Sequence, residues 1–200
     1  MHYRGLIIDD TNPPPTAAQL TAVEQSLGCK LPEDYLQFLN TCNGGTAEYE
    51  IEATFDDGHS ESLSFSEMFS AATLLSELAE ARRMEGFPAR CVLPIARGGA
   101  AMLYLDLQSG YEVVALAEGL PAWTGLRQEN SLVHVADSFN AYLDALYISD
   151  EAVIHCIKYF DPRYNVPEAM AEWFDTRAHD WRTRHAKIWQ EHVVKRSENG

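Results

Sequence analysis

Long apolar runs are missing from this chain. The longest, such as Val113 to Ala117, fall far short of the roughly 20 residues that a membrane-spanning helix needs. The amino terminus offers only Leu6-Ile7-Ile8 before Asp9 and Asp10. A secretory signal needs an apolar stretch of roughly 7–15 residues and a small-residue cleavage site. The expectation is therefore a cytoplasmic protein with no membrane association. Cysteine is sparse as well. Cys29, Cys42, Cys91 and Cys156 are scattered among apolar neighbours with no CxxC spacing. That pattern predicts buried free thiols rather than a disulfide frame, a metal site or a redox centre.

Positive charge is the scarcest commodity. The chain carries 30 Asp/Glu against 15 Lys/Arg, a net charge of −15 over 200 residues. Residues 1–147 hold 21 acidic and 7 basic side chains, and residues 148–200 hold 9 and 8. Between Lys30 and Arg82 there is no lysine or arginine. Such a surface repels phosphate backbones and argues against nucleic-acid binding. It would steer a basic protein inward. Charge alone is equally served by a plainer role in solubility.

What is present is ample material for a core. The hydrophobic fraction is 46%, ordinary for a globular domain. Asn12 and the triplet Pro13-Pro14-Pro15 form a stiff lead-in, and Thr16 then has the place of an N-cap. Leu20, Val23 and Leu27 follow at helical spacing to a stop at Gly28. Pro32 suits the first position of a second helix, whose apolar face is Tyr35, Leu36, Phe38 and Leu39 and whose end is Asn43-Gly44-Gly45.

The period then changes to two. Tyr49, Ile51, Ala53 and Phe55 alternate with Glu48, Glu50, Glu52 and Thr54, predicting a half-buried strand with a row of carboxylates on its open face. Asp56-Asp57-Gly58 reads as a turn, and Ser60 to Phe65, including Glu61, as the returning strand. Ser66 is expected to cap a third helix with Met68, Phe69, Ala72, Leu75, Leu78 and Ala79 inward. Strands are expected at Cys91 to Ala96, Ala101 to Leu107, Tyr111 to Ala117 and Leu132 to Val135, then a helix capped by Asp137. Runs of adjacent strands predict the α+β class: an antiparallel sheet with helices packed on one side.

The last fifty residues read as a helical extension. Asp150 to Phe160 forms one helix, and Pro167 starts a longer one carrying Trp173, Phe174, Trp181, Ile188 and Trp189. Aromatics this dense must bury against something. Their own domain is the usual answer, and a homodimer or partner surface the sharper one.

Leu31-Pro32-Glu33-Asp34-Tyr35-Leu36-Gln37-Phe38-Leu39-Asn40-Thr41-Cys42-Asn43-Gly44-Gly45 resembles the signature of the SUKH superfamily, the Smi/Knr-like proteins. Val92-Leu93-Pro94-Ile95-Ala96 with Gly98-Gly99, and Tyr104-Leu105-Asp106-Leu107, resemble its central strands, and Val135 to Phe139 its closing segment. The resemblance spans residues 14–147 and implies a SUKH-like α+β domain followed by a 148–200 extension. It implies that Leu31, Pro32, Tyr35, Phe38, Leu39, Asn43, Gly44 and Gly45 serve the fold and not chemistry. It also implies function: many bacterial members look like immunity proteins that neutralise contact-delivered toxins, often nucleases or deaminases, and fungal members look like interaction proteins. The acidic strand lies outside the matched signature. Glu48, Glu50, Glu52, Asp56, Asp57 and Glu61 are the expected surface for a basic toxin.

Enzyme readings are weaker. His179, Asp180 and His185 lack the i, i+4 spacing of two ligands on one helix face. Nothing unites Cys42 or Cys91 with a base. Arg97-Gly98-Gly99 is too short for a phosphate loop, and Asp56 with Asp57 would need a cleft to act as an acid/base pair. No catalytic residue, metal or cofactor is expected.

Overall fold

A computed structural model describes residues 1–55, 58–84, 86–99, 101–108, 110, 112–116 and 132–198. The chain opens with a small antiparallel hairpin, β1 (His2–Tyr3) and β2 (Leu6–Ile7). Helix α1 (Ala17–Leu27) starts at a capping box: the Gln19 amide donates to the Thr16 hydroxyl at 3.2 Å, and the Thr16 amide donates to the Gln19 side chain at 2.8 Å. Gly28, left-handed at φ 81°, ends it. Helix α2 (Glu33–Thr41) begins one residue later than expected, because Pro32 is extended and stands as the N-cap. Tyr35 and Phe38 are fully buried and meet Phe139 at ring distances of 4.9 and 5.1 Å.

The chain turns from helix to sheet at Asn43-Gly44-Gly45. Asn43 is left-handed at φ 51° and nearly buried. Its side-chain amide donates to the Pro13 carbonyl at 2.6 Å, and its side-chain oxygen accepts from the Ala71 amide at 2.8 Å. A Cβ on Gly44 would sit 2.6 Å from the Ser70 amide nitrogen, and one on Gly45 would sit 2.5 Å from the Asp9 carbonyl oxygen. The three residues thus clamp the proline lead-in, the end of α2 and the start of the next helix.

Beyond the turn come β3 (Gly45–Thr46), the hairpin β4 (Glu50–Thr54) and β5 (Ser60–Ser64), and β6 (Glu67–Met68). The third helix, α3 (Ala71–Ala81), therefore starts later than the reading from Ser66. Its buried stripe is Ala71, Leu74, Leu78 and Ala81, with Ala72, Leu75 and Ala79 facing out. The short strand β6, paired between β7 and β3, takes Met68 into the sheet, which rotates the helix register. Strands β7 (Val92–Gly98), β8 (Ala101–Asp106), β9 (Glu112–Leu116) and β10 (Leu132–Ala136) complete the sheet. Among the described residues its order is β10-β9-β8-β7-β6-β3, antiparallel throughout. The fold is thus α+β.

Leu93, Leu105, Val113, Ala115 and Val133 point from one sheet face into the main core. Val92, Tyr104 and Val114 point from the other into a small cluster with Ala81, Met84 and Phe87. Helix α4 (Phe139–Ala145) is capped by Ser138 rather than Asp137, whose carboxylate instead lies 3.0 Å from His134. Asp34 joins the two aromatic helices, accepting from the Asn140 amide at 2.9 Å.

The last segment holds α5 (Asp150–Lys158) and α6 (Pro167–Arg177). The expected long helix stops at Arg177. Asp180 is left-handed, and short turns follow: α7 (Trp181–Arg184), α8 (Ala186–Trp189), a π-helical turn at Gln190–Val194, and α9 (Lys195–Glu198). The break lets Trp181 fold back, 5.1 Å from Phe174 and 4.9 Å from Trp189. Val153, Ile157, Phe160, Phe174, Trp181 and Val193 join the same core as the sheet and α2. Tyr49 ties both parts together, its hydroxyl accepting from the Ile7 amide at 2.8 Å and meeting Thr176 at 3.0 Å. No helix among the described residues is long and apolar enough to cross a membrane.

Three outcomes are expected in urea unfolding. Asn43→Ala, which orphans the buried Ala71 amide and releases the Pro13 carbonyl, lowers stability by about 1–3 kcal/mol. Gly44→Ala costs more, because it adds steric overlap to a left-handed backbone. Ending the chain after Tyr147 uncovers the core around Tyr49 and gives a product that lacks a cooperative transition.

Candidate functional site

The cross-strand register decides which carboxylates share a face. Ile51 lies opposite Leu63 and Ala53 opposite Glu61, while Glu50 lies opposite Ser64 and Glu52 opposite Ser62. Tyr49, Ile51, Ala53, Phe55 and Leu63 are buried. The outer face therefore carries Glu50, Glu52 and Thr54 from β4, and Ser60, Ser62 and Ser64 from β5. Glu48, just ahead of β4, is exposed on the same side.

Glu61 departs from the expected row. Its place opposite Ala53 puts it on the inward parity at the end of the hairpin, where its carboxylate lies 3.2 Å from His59. The sequence shows Glu61 only as an acid near the turn, and the strand register is needed to assign its side. Asp56 and Asp57 lie outside the described residues.

The three outer glutamates are not equivalent. The Glu50 carboxylate accepts from Ser62 at 2.5 Å and from Ser149 at 2.7 Å. The Ser149 oxygen in turn accepts from the Ala152 amide, capping α5. Backbone bonds of 2.9 Å run both ways between Glu50 and Tyr147. Glu50 is thus a structural pin between the hairpin and the extension. Glu48 and Glu52 are exposed, and no described lysine or arginine lies within ion-pair distance of either. Elsewhere several of the scarce cations are ion-paired: Arg97 to Glu67 at 2.7 Å, Arg4 to Asp144, Arg182 to Asp175 at 2.5 Å.

Beside the hairpin runs a groove with two lobes of about 460 and 570 Å³. One lies between Glu48, Glu50, Ser64 and the first turns of α5; the other lies between Ile7, Asp9 and α6. Glu48, Cys156 and Trp173 line both. Trp173 is half-buried, with ring centroids 6.4 Å from Tyr49 and 5.2 Å from Phe174. Asp9, Glu151 and Glu172 also belong to this groove. Sequence reading missed that grouping, since residues 9, 48, 151 and 172 meet only through tertiary packing.

The candidate catalytic and metal residues are not brought together. His179 is exposed against Asp180 at 3.0 Å, while the nearly buried His185 bonds Asp150 at 3.0 Å. Cys42 is buried beside the Met1 sulfur, and burial pushes its thiol up to about 11. Cys29 sits against Cys91 and is raised to about 12, mainly by burial. Neither is a thiolate near neutral pH, the form a cysteine nucleophile needs. Gly98 is packed against the Ser64 carbonyl, where a Cβ would come within 2.0 Å.

Residues 14–145 match the model of the SMI1 / KNR4 family (SUKH-1), and the chain belongs to that family. A search of curated proteins finds no match. The matched span contains the Asn43-Gly44-Gly45 clamp and the hairpin, and stops before α5 and α6.

The unequal roles of the glutamates give a direct check. Glu50→Ala should lower stability by about 1–2 kcal/mol, because it frees two hydroxyls and loosens the α5 cap. Glu52→Lys should change it by no more than about 0.5 kcal/mol, as expected of an exposed, unpaired site. Thermal unfolding of both variants beside the parent chain measures the difference.

Proposed function

We propose that this member of the SMI1 / KNR4 family is an immunity protein. It binds a cognate contact-delivered toxin in the cytoplasm and neutralises it by occlusion, without chemistry of its own. One observation carries the reading: Glu48 and Glu52 project from one side of the hairpin, and among the described residues no lysine or arginine is ion-paired with either. Exposed carboxylates left unpaired, in a window without lysine or arginine, cost the chain self-repulsion. A basic partner relieves it.

A nuclease toxin has a cationic cleft for phosphate, and a row of carboxylates presented on a strand can occupy that cleft. Deaminases that act on nucleic acid present the same chemistry. Charge pairs desolvated at the centre of such an interface carry roughly 1.5–7 kcal/mol of coupling each, whereas those at the rim act on the association rate. Thr54 and Ser60, hydrogen-bonded to each other at 2.9 Å, lie on the same face as the carboxylates.

A second reading is a scaffold or regulatory interaction module that works through the extension. It is favoured by Tyr159, Tyr164 and Val166, which are 72, 81 and 59% exposed around the α5–α6 connection. A homodimer through the aromatic helices has less to draw on, since Phe174 and Trp181 are buried within the chain.

The partner to test is the product of a neighbouring reading frame, a large secreted protein with a variable C-terminal domain. The double variant Glu48→Lys with Glu52→Lys should lose at least about tenfold in affinity per charge reversed and fail to protect cells producing the toxin. Tyr159→Ser with Tyr164→Ser should leave protection intact. Protection that survives the glutamate reversals would reduce the acidic face to a solubility device, and loss with the tyrosines would favour the second reading.

A further inference from the structure

We infer that the groove beside the hairpin is an anchor pocket for a single arginine side chain of the protein partner, seated against Trp173 within a ring of carboxylates. The inference rests on the reading that the partner is a basic protein, and it names the residue that partner presents. The two lobes share Glu48, Cys156 and Trp173, and the anchor is placed at that shared lining. Its walls are largely apolar, supplied by Ile7, Ile148, Ala152, Ala169 and the indole. Its rim is acidic, with Asp9, Glu48, Glu151 and Glu172. Among the described residues, no lysine or arginine lines either lobe. Two histidines lie near: His2, 3.1 Å from Glu172, and His155, which lines one lobe with its ring 4.6 Å from Tyr159.

This combination selects its occupant. An apolar side chain would fill the walls but leave the carboxylates desolvated and unpaired. An anion would be repelled by every rim group. A long cationic side chain satisfies both parts, with its methylene stem along the walls and its charge at the rim. Arginine is preferred over lysine because its planar head can stack on an indole while it donates to a carboxylate in its own plane. The volume lies within the range of pockets that enclose a small ligand. Trp173, Glu151 and Glu172 fall outside the matched family segment. The anchor would therefore discriminate among basic partners that the hairpin face alone attracts alike.

The test uses the full chain and acetyl-Gly-Arg-Gly-amide as the probe, with the Lys and Glu analogues beside it. The indole N–H signal of Trp173, assigned by its loss in Trp173→Phe, is followed by NMR. The arginine peptide should shift it saturably, the lysine peptide should bind more weakly, and the glutamate peptide should leave it unmoved. Glu48→Gln with Glu151→Gln should weaken the arginine peptide about tenfold, while the remaining amide signals report an intact fold. No shift at Trp173, or equal affinity in the double variant, overturns the anchor. The docking face is scored separately by Glu52→Lys, which does not line the groove. Toxin binding lost in Glu52→Lys but unchanged in Glu151→Gln and Trp173→Phe would remove the anchor and leave that reading standing.

Discussion

The constraint that governs this molecule is the two-residue period of β4. Tyr49, Ile51, Ala53 and Phe55 must be buried, so Glu48, Glu50 and Glu52 must face the other way. A slip of one residue would place three carboxylates in the core and four apolar side chains in water. The register is therefore locked by hydrophobic burial, and the acidic face is its obligatory counterpart. The fold softens the repulsion with hydroxyls from β5 and with one pin, Glu50, that accepts two hydrogen bonds. Among the described residues, no lysine or arginine is ion-paired with Glu48 or Glu52. Stability and charge display thus come from one alternation.

That strand reaches its place because of the turn that precedes it. Asn43 occupies a left-handed position, and its side chain holds the Pro13 carbonyl and the Ala71 amide at once. Gly44 and Gly45 pass so close to neighbouring backbone that no side chain fits. This turn, inside the segment matched to the family, is a junction of three segments. The extension then closes the other side. Tyr49 and Glu50 help the hairpin grip it, one by its hydroxyl on Thr176 and the other by its carboxylate on Ser149, while the Glu50 backbone holds Tyr147 just ahead of it.

Local signals were legible in the sequence where the physics is local. The Thr16 cap, the Gly28 stop, the Asn43-Gly44-Gly45 turn and the hairpin follow from capping, positive φ and alternation, and the α+β class follows from their order. Errors arose where tertiary packing overrides a local signal. Ser66 looks like a cap, yet β6 pairs with β3 and β7 first and delays the helix to Ala71. The terminal helix has no proline or glycine to predict its break at Ala178, which comes from packing Trp181 onto Phe174 and Trp189. The same divide runs through the candidate site. Alternation reveals that Glu48, Glu50 and Glu52 share a side. It cannot reveal that Glu50 is a pin, that Glu61 turns inward, or that Glu151 and Trp173 come to lie beside Glu48.

The central claim is electrostatic capture by unpaired carboxylates on a rigid strand. It is tested most directly by the rate at which the chain associates with its cognate toxin as ionic strength rises. Screening shortens the reach of exposed charges from about 10 Å at 0.1 M salt to about 3 Å at 1 M. Steered association should therefore slow by about an order of magnitude or more across that range while dissociation changes little. An association rate that stays flat with salt would contradict the account.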